Sequence, residues 1–229
     1  MSTLVLDDVC VARGQFPIVV DVDLRVPSGE VTLVLGANGA GKTTLLEAIS
    51  GLLPVRSGRI TLDDEPIHRA SRVRRAHRGL AHVEQGRAIF SDLTVAENLM
   101  IATRDGKIDA AFETFPELES RRSLRASSLS GGEQQMLVLA RALLADPKVL
   151  LIDELSLGLA PIIVRRLMPV VRKLADSGIA ILMVEQYAAL ALEIGDSVSV
   201  LARGRVVFSG ACGELESHGG VLQSAYLRV

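Results

Sequence analysis

The apolar run VTLVL at residues 31–35 passes directly into GANGAGKTT at 36–44, and this junction constrains the fold more than any other stretch. The pattern is G-x-x-x-x-G-K-S/T, a phosphate-binding loop set between a buried strand and a helix. Gly36, Gly39 and Gly41 let the backbone wrap closely, so that successive N–H groups, those of Ala37, Asn38 and Ala40 among them, point at phosphate oxygens. Lys42 offers a compact positive charge to the β/γ-phosphates and Thr43 a hydroxyl to Mg²⁺, with Thr44 beside it. Leu45, Leu46, Ala48 and Ile49 continue as a helix to Gly51, whose positive end also faces the phosphates. No G-x-G-x-x-G fits here, so NAD is a poor match. A nucleotide such as ATP, with Mg²⁺, is the ligand implied.

With 229 residues, 48% of them apolar, the chain can bury a sizeable core as one large domain or two lobes. A net charge of −2 argues against nucleic acid as the main partner. Cys10 and Cys212 stand far apart, without CxxC spacing, and read as reduced thiols of a cytosolic protein. The opening MSTLVLDDVC has no basic region before its apolar residues and is not expected to act as a signal peptide. No apolar run approaches the roughly 18–20 residues of a membrane span. Any membrane role is expected to come through a partner.

Residues 20–26, VDVDLRV, alternate as a half-exposed strand does. Residues 4–11 read as another strand, broken by Gly14 and Pro17, and 58–64 as a short hairpin, which together predict an antiparallel patch. The basic run at 69–78 reads as the solvated face of a short helix, with an acidic surface or lipid headgroups as the alternative contact. A short strand at 80–83 leads to Glu84 and Gln85. From 86 to 148 the pattern is mainly helical: Thr94 and Glu97 form a capping box, and Ile108, Phe112 and Phe115 share a face before Pro116. Continuous apolar runs at 149–153 and 179–185 predict buried parallel strands. A helix at 162–175, locally distorted at Pro169, crosses between them. A hairpin around Arg203-Gly204 and a helix at 222–227 close the chain.

VLLIDE at 149–154 places two carboxylates where a hydrophobic strand emerges. Asp153 is positioned to hold Mg²⁺, and Glu154 to polarise an attacking water as general base. LSGGEQQ at 129–135 combines an N-cap serine, Ser130, with Glu133 at the matching third position, while Gly131 and Gly132 expose the first N–H groups of a helix. This is a second anion-binding helix end, separate from the first.

With LSGGEQQ about twenty residues before the VLLIDE strand, nearly the whole chain resembles the ATP-binding cassette of an ABC transporter. LGANGAGKTTLL, GRAIFSDLTVAENL, SLGLAP and VEQYAALAL look most like the LivF-type subunit of branched-chain amino-acid importers. The resemblance implies an α/β P-loop NTPase (RecA-like) core with an N-terminal antiparallel β subdomain and an inserted α-helical subdomain. In one ABC ATPase domain spanning 1–229, the core would take 1–85 and 149–229, and the signature-bearing helical part 86–148. It further implies a head-to-tail pair of cassettes, identical or not, in which each ATP lies between one copy's P-loop and the other's Ser130–Glu133 turn. Two transmembrane permease subunits would be driven by the pair, which would sit on the inner face of the cell membrane.

Against the family's general pattern, Gln85 falls at the Q-loop position, where its amide oxygen would reach Mg²⁺ and the attacking water. Arg13 replaces the aromatic that stacks on adenine, with Phe16 a rival for that role, so weak nucleotide affinity is expected. Gln186 stands at the switch-histidine position and would position phosphate without carrying a proton. Leu155 replaces a proline and Ala160 a D-loop aspartate; a loosened turn and low activity are the expectation. A non-transport ABC-type ATPase and a weakly active regulatory cassette remain alternatives. A GTPase is not supported, since no N-K-x-D occurs. The cargo is not written in these residues.

Overall fold

The computed structural model describes residues 3–217 and 220, other than 87, 104 and 187. The helix expected at 222–227 lies outside the described residues.

The chain opens with the antiparallel hairpin β1 (Thr3–Arg13) and β2 (Phe16–Pro27). Val22, Leu24 and Val26 are buried while Asp21, Asp23 and Arg25 are exposed, as the alternation predicts. The second strand begins earlier than its alternation suggests. Pro17 does not interrupt it but pairs opposite Ala12 near the hairpin's tip, an end position where a missing N–H is tolerated. β3 (Val31–Leu35), buried throughout, leads into α1 (Lys42–Ser50), which ends at Gly51 in the left-handed region. β4 (Val55–Leu62) and β5 (Glu65–Pro66) complete a four-stranded antiparallel sheet in the order β2-β1-β4-β5.

α2 (Arg72–His77) carries the basic run and precedes β6 (Leu80–Val83). One residue of that run corrects the solvated-face reading. Arg75 is 2% exposed and its guanidinium donates to the carbonyls of Ala48 (2.6 Å), Ile49 (2.7 Å), His68 (2.9 Å) and Ala70 (3.0 Å). It caps the C-terminal turn of α1, where backbone carbonyls lack intrahelical donors.

The chain is then mainly helical: α3 (Val95–Met100), α4 (Asp109–Thr114), α5 (Pro116–Glu119), a 3₁₀ turn at Ala126–Ser128 and α6 (Gly131–Leu144). The Thr94–Glu97 capping box is formed, and Ile108, Phe112 and Phe115 are buried. Pro116 does more than stop a helix, since it occupies the first turn of the next. β7 (Val149–Asp153), α7 (Pro161–Asp176), β8 (Ala180–Glu185), α8 (Ala188–Leu192), β9 (Ser197–Ala202), β10 (Arg205–Ala211) and α9 (Cys212–Ser217) follow. α7 runs unbroken through Pro169.

A six-stranded sheet has the order β10-β9-β3-β8-β7-β6, parallel except for β10 at its edge. Its strands are apolar on both faces because each face carries its own core. Leu33, Leu150, Ile152, Ile181 and Met183 pack with residues of α3–α7, whereas Val34, Val149, Leu151, Leu182 and Val184 pack with α1 and the antiparallel sheet. Period-two alternation sends neighbouring residues to opposite cores. Adjacent strand ends then converge: Leu35 lies opposite Glu185 and Asp153 opposite Val184. Ligands of such sheets bind beyond these carboxyl ends.

Candidate functional site: a phosphate cradle and a detached signature turn

The loop between β3 and α1 is held by close backbone approach. A Cβ on Gly36 would lie 2.2 Å from the Leu201 carbonyl oxygen, and Gly41 has φ +109° as the N-cap of α1. The turn between β9 and β10 supports the loop from behind, the Gly204 N–H bonding the Ala40 carbonyl at 2.9 Å. Ala37 accepts from the Ala40 N–H at 3.1 Å, leaving Asn38 and Gly39 exposed on the loop's crest. Lys42 is 4% exposed, and its Nζ donates to the carbonyls of Gly36 (2.9 Å) and Ala37 (3.2 Å). Burial lowers its pKa, opposed by the carboxylates of Glu154, Asp153 and Glu185. A cation thus waits under the loop.

β7 delivers the two predicted carboxylates to the same place. Asp153 is 2% exposed and hydrogen-bonded by Thr43; burial first, then the nearby Glu154 charge, pushes its carboxyl up to about 6 against the Thr43 bond and Lys42. Its Oδ1 is buried without a hydrogen-bond partner among the described residues. An orphaned carboxylate oxygen beside a hydroxyl suits Mg²⁺, which binds through one or two carboxylates plus substrate phosphates and water. Among the described residues no group of three or more His, Cys, Asp or Glu could hold a metal ion.

Glu154 sits 3.7 Å from Lys42 Nζ and accepts a 2.9 Å hydrogen bond from Gln85 Nε2. The structure therefore brings together Lys42, Thr43, Gln85, Asp153 and Glu154, five residues from three separated stretches. Glu154 itself adopts φ +48°, uncommon for a residue with a Cβ. The turn after it is bonded rather than loose. Leu155 is 1% exposed in the core, Leu157 N–H bonds the Glu154 carbonyl at 3.1 Å, and Ser156 bonds Glu185. Ala160 is the N-cap of α7, without a side-chain cap. Gln186 follows β8 directly and is half-buried, its backbone N–H bonding the Glu185 carboxylate.

Arg13 does not project freely towards a base. Its Nε donates to Thr44 Oγ1 at 3.1 Å and its guanidinium pairs with Glu47, both on α1. Phe16, two residues past the hairpin tip's Gly14, is 76% exposed.

The signature turn is built as the spacing predicts. Ser130 Oγ accepts from the Glu133 N–H at 3.3 Å, and Glu133 Oε2 accepts from the Ser130 N–H at 2.8 Å. Gly131 and Gly132 open α6, and Gly132 is packed so tightly that a Cβ would lie 2.8 Å from Ile163 Cγ2. Arg121 Nε donates to Glu133 Oε1 at 3.0 Å. Among the described residues no hydrogen bond or ion pair joins 130–133 to the loop at 36–44. Sequence reasoning missed Arg121, Ser156 and Glu185. For Glu185 a signal existed, a carboxylate closing an otherwise apolar strand.

Residues 19–156 match the family described as ABC transporter. Among curated proteins, a high-affinity branched-chain amino acid transport ATP-binding protein, BraG of Pseudomonas aeruginosa, is 40% identical over 89% of this chain and 91% of its own length. A probable branched-chain amino acid transport ATP-binding protein, LivF of Archaeoglobus fulgidus, is 41% identical over 88% and 89%. The lipopolysaccharide export ATP-binding protein LptB of Escherichia coli K12 is 34% identical over 94% and 93%. The solved ADP conformation of an ATP-binding cassette of an ABC transporter superposes with a TM-score of 0.87 at 25% identity, covering 97% of this chain and 98% of that one. With the phosphate cradle, the paired carboxylates and the signature turn all in place, this chain belongs to the ABC transporter family, as one of its ATP-binding, ATP-hydrolysing cassettes.

Proposed function

We propose that the chain is the motor subunit of an importer for branched-chain or related amino acids, working as a head-to-tail cassette dimer bound to two membrane permeases. One observation carries the dimer: the complete cradle and the signature turn occupy one polypeptide yet make no bond to each other, so each cradle awaits a second copy's Ser130–Glu133. The importer reading is supported by the BraG and LivF similarity, each near 40% over most of the chain. The LptB similarity supports a second reading, an exporter motor. Residues 1–85 and 149–229 are assigned to the nucleotide-binding core and 86–148 to the helical part that meets permeases. No helix among the described residues is long and apolar enough to cross a membrane, and placement on the membrane's inner face would come through those partners.

In hydrolysis, the loop amides and Lys42 bind the β/γ-phosphates, while Thr43, Asp153 and Gln85 would hold Mg²⁺. When bound, Mg²⁺ neutralises charge on the phosphate oxygens. Glu154 accepts the proton of the attacking water, a contribution of about 10²–10⁴ in rate. Gln186 positions the γ-phosphate as a donor that stays neutral.

The test is phosphate release as a function of chain concentration, alone and with a co-expressed second cassette and permeases. Turnover per chain should rise with concentration, and Glu154→Gln should abolish it while trapping an ATP-bound dimer. Turnover independent of concentration removes the dimer reading. Uptake of labelled leucine by reconstituted vesicles, against outward movement of lipopolysaccharide, separates importer from exporter. If Gln186→Ala leaves turnover untouched, the positioning role of Gln186 is wrong.

A further inference from the structure

Glu185 is fully buried at the end of β8, opposite Leu35 and one residue from the phosphate loop. A carboxylate this deep is rare without partners that use both oxygens. Here both oxygens bond Ser156, and the carboxylate also accepts from the Gln186 N–H. Oε1 accepts from the Ser156 N–H at 3.0 Å, and Oε2 from the Ser156 hydroxyl at 2.5 Å. Ser156 lies two residues beyond Glu154, in the turn that carries the catalytic carboxylate.

That turn needs holding. Glu154 has φ +48°, a left-handed backbone that persists at a residue with a Cβ only where its surroundings over-determine it. The Glu154 N–H bonds the Val184 carbonyl at 2.9 Å, which fixes the turn's start, and the Leu157 N–H bonds the Glu154 carbonyl at 3.1 Å, which closes it. Between these points the polar anchor is the Glu185–Ser156 pair. It joins the end of β8 to the segment following β7, so that the residue preceding Gln186 and the residue following Glu154–Leu155 move as one piece.

We infer that Glu185 is a positioning residue for ATP hydrolysis: through its two-point grip on Ser156 it holds the 154–157 turn in the backbone conformation that aims Glu154 at the attacking water. It touches no substrate and acts only through that turn. The inference rests on Glu154 as the general base.

Two readouts on the purified full-length chain test it: backbone hydrogen exchange of the 153–159 segment, and steady-state phosphate release at saturating and limiting ATP. Glu185→Ala should speed exchange at Ser156 by ~10-fold or more. The same variant should lower kcat by roughly 10–100-fold with KM for ATP within about 3-fold of wild type, as expected when orientation rather than binding is lost. Glu185→Gln should recover most of both losses, since an amide oxygen accepts from the Ser156 N–H and the amide NH₂ donates to Ser156 Oγ. Ser156→Ala, which removes one bond of the pair, provides a milder probe if Glu185→Ala does not fold, with exchange and kcat moving in the same direction by about 3-fold. Unchanged exchange in both variants, or faster exchange with kcat intact, overturns the inference while an active wild type leaves the hydrolysis reading standing. A Glu185→Gln variant as impaired as Glu185→Ala also overturns it, because charge and not the grip would then be at work. A wild-type chain that releases no phosphate under any condition defeats the hydrolysis reading, and this inference with it.

Discussion

Replacing Arg75 by methionine tests whether α1, the helix that follows the glycine loop, is held from behind. The aliphatic stem is retained and the guanidinium, with its four carbonyl hydrogen bonds at 2.6–3.0 Å, is lost. Hydrogen bonds to a charged group are worth about 1.5–3 kcal/mol each, which taken alone gives a large sum. Against it stands the relief of no longer burying a cation, several kcal/mol. The Ala48 carbonyl also keeps the Gly51 N–H at 3.3 Å, so it is not wholly orphaned. The net loss should fall near 3 kcal/mol, within the roughly 3–5 kcal/mol that follows removal of one buried charged partner. That is a large fraction of the about 5–15 kcal/mol typical of a folded domain. Urea unfolding followed by circular dichroism should show the midpoint falling by about 1–2 M at an unchanged slope. Hydrogen exchange should locate the loosening in the last turn of α1. Arg75→Lys, with fewer donors and no planar fork, should recover part of the loss. A destabilisation under about 1 kcal/mol, or exchange that rises elsewhere and not at 47–51, would refute the reasoning that Arg75 staples α1.

Three further outcomes follow from named contacts. Burial holds the His82 imidazole down to about 4, with both ring nitrogens unpartnered among the described residues; its folded pKa lies below the unfolded value, so the unfolded chain takes up the proton first, and stability present above pH ~6.5 should fall by on the order of 3 kcal/mol towards pH 4. Denaturation midpoints across that range should flatten in His82→Gln, and an equal slope in both proteins would exclude His82 as the source. Gly132→Ala gains helix propensity of about 1 kcal/mol but meets Ile163, an overpacking cost of roughly 1–3 kcal/mol, so a lowered melting temperature that Ile163→Ala restores is expected. Arg13 is already engaged by Thr44 and Glu47, so Arg13→Tyr should tighten ATP binding by up to about 10-fold in a fluorescent-nucleotide titration, and a wild-type monomer binding at micromolar affinity or better would contradict the weak-stacking argument.

Much of the site was legible because its chemistry is local. The glycine spacing at 36–41, the Lys42-Thr43 pair, the Asp153-Glu154 pair and the Ser130–Glu133 capping box each depend on residues within one turn of backbone, and all adopt the geometry their spacing implies. Strand type was legible too, since uniform apolar runs and alternating runs report burial on two faces or one. What pattern could not reach were partners distant in the chain. The basic run at 69–78 shows five arginines of equal standing, and only the packing of α2 against α1 selects Arg75 for the interior. Pro17 reads as a breaker until the register puts it at a hairpin's end.

By itself, then, the sequence determined the ligand class and the separate existence of two glycine-bearing turns at helix N-termini, because backbone amides are aimed by nearest-neighbour conformation. Only the tertiary structure decided which side chains answer one another across the parallel strand ends: Gln85 to Glu154, Thr43 to Asp153, Glu185 to Ser156. Strand order and register set those meetings, and both are fixed by long-range pairing and by two cores filling opposite faces of one sheet, which no local window of residues encodes.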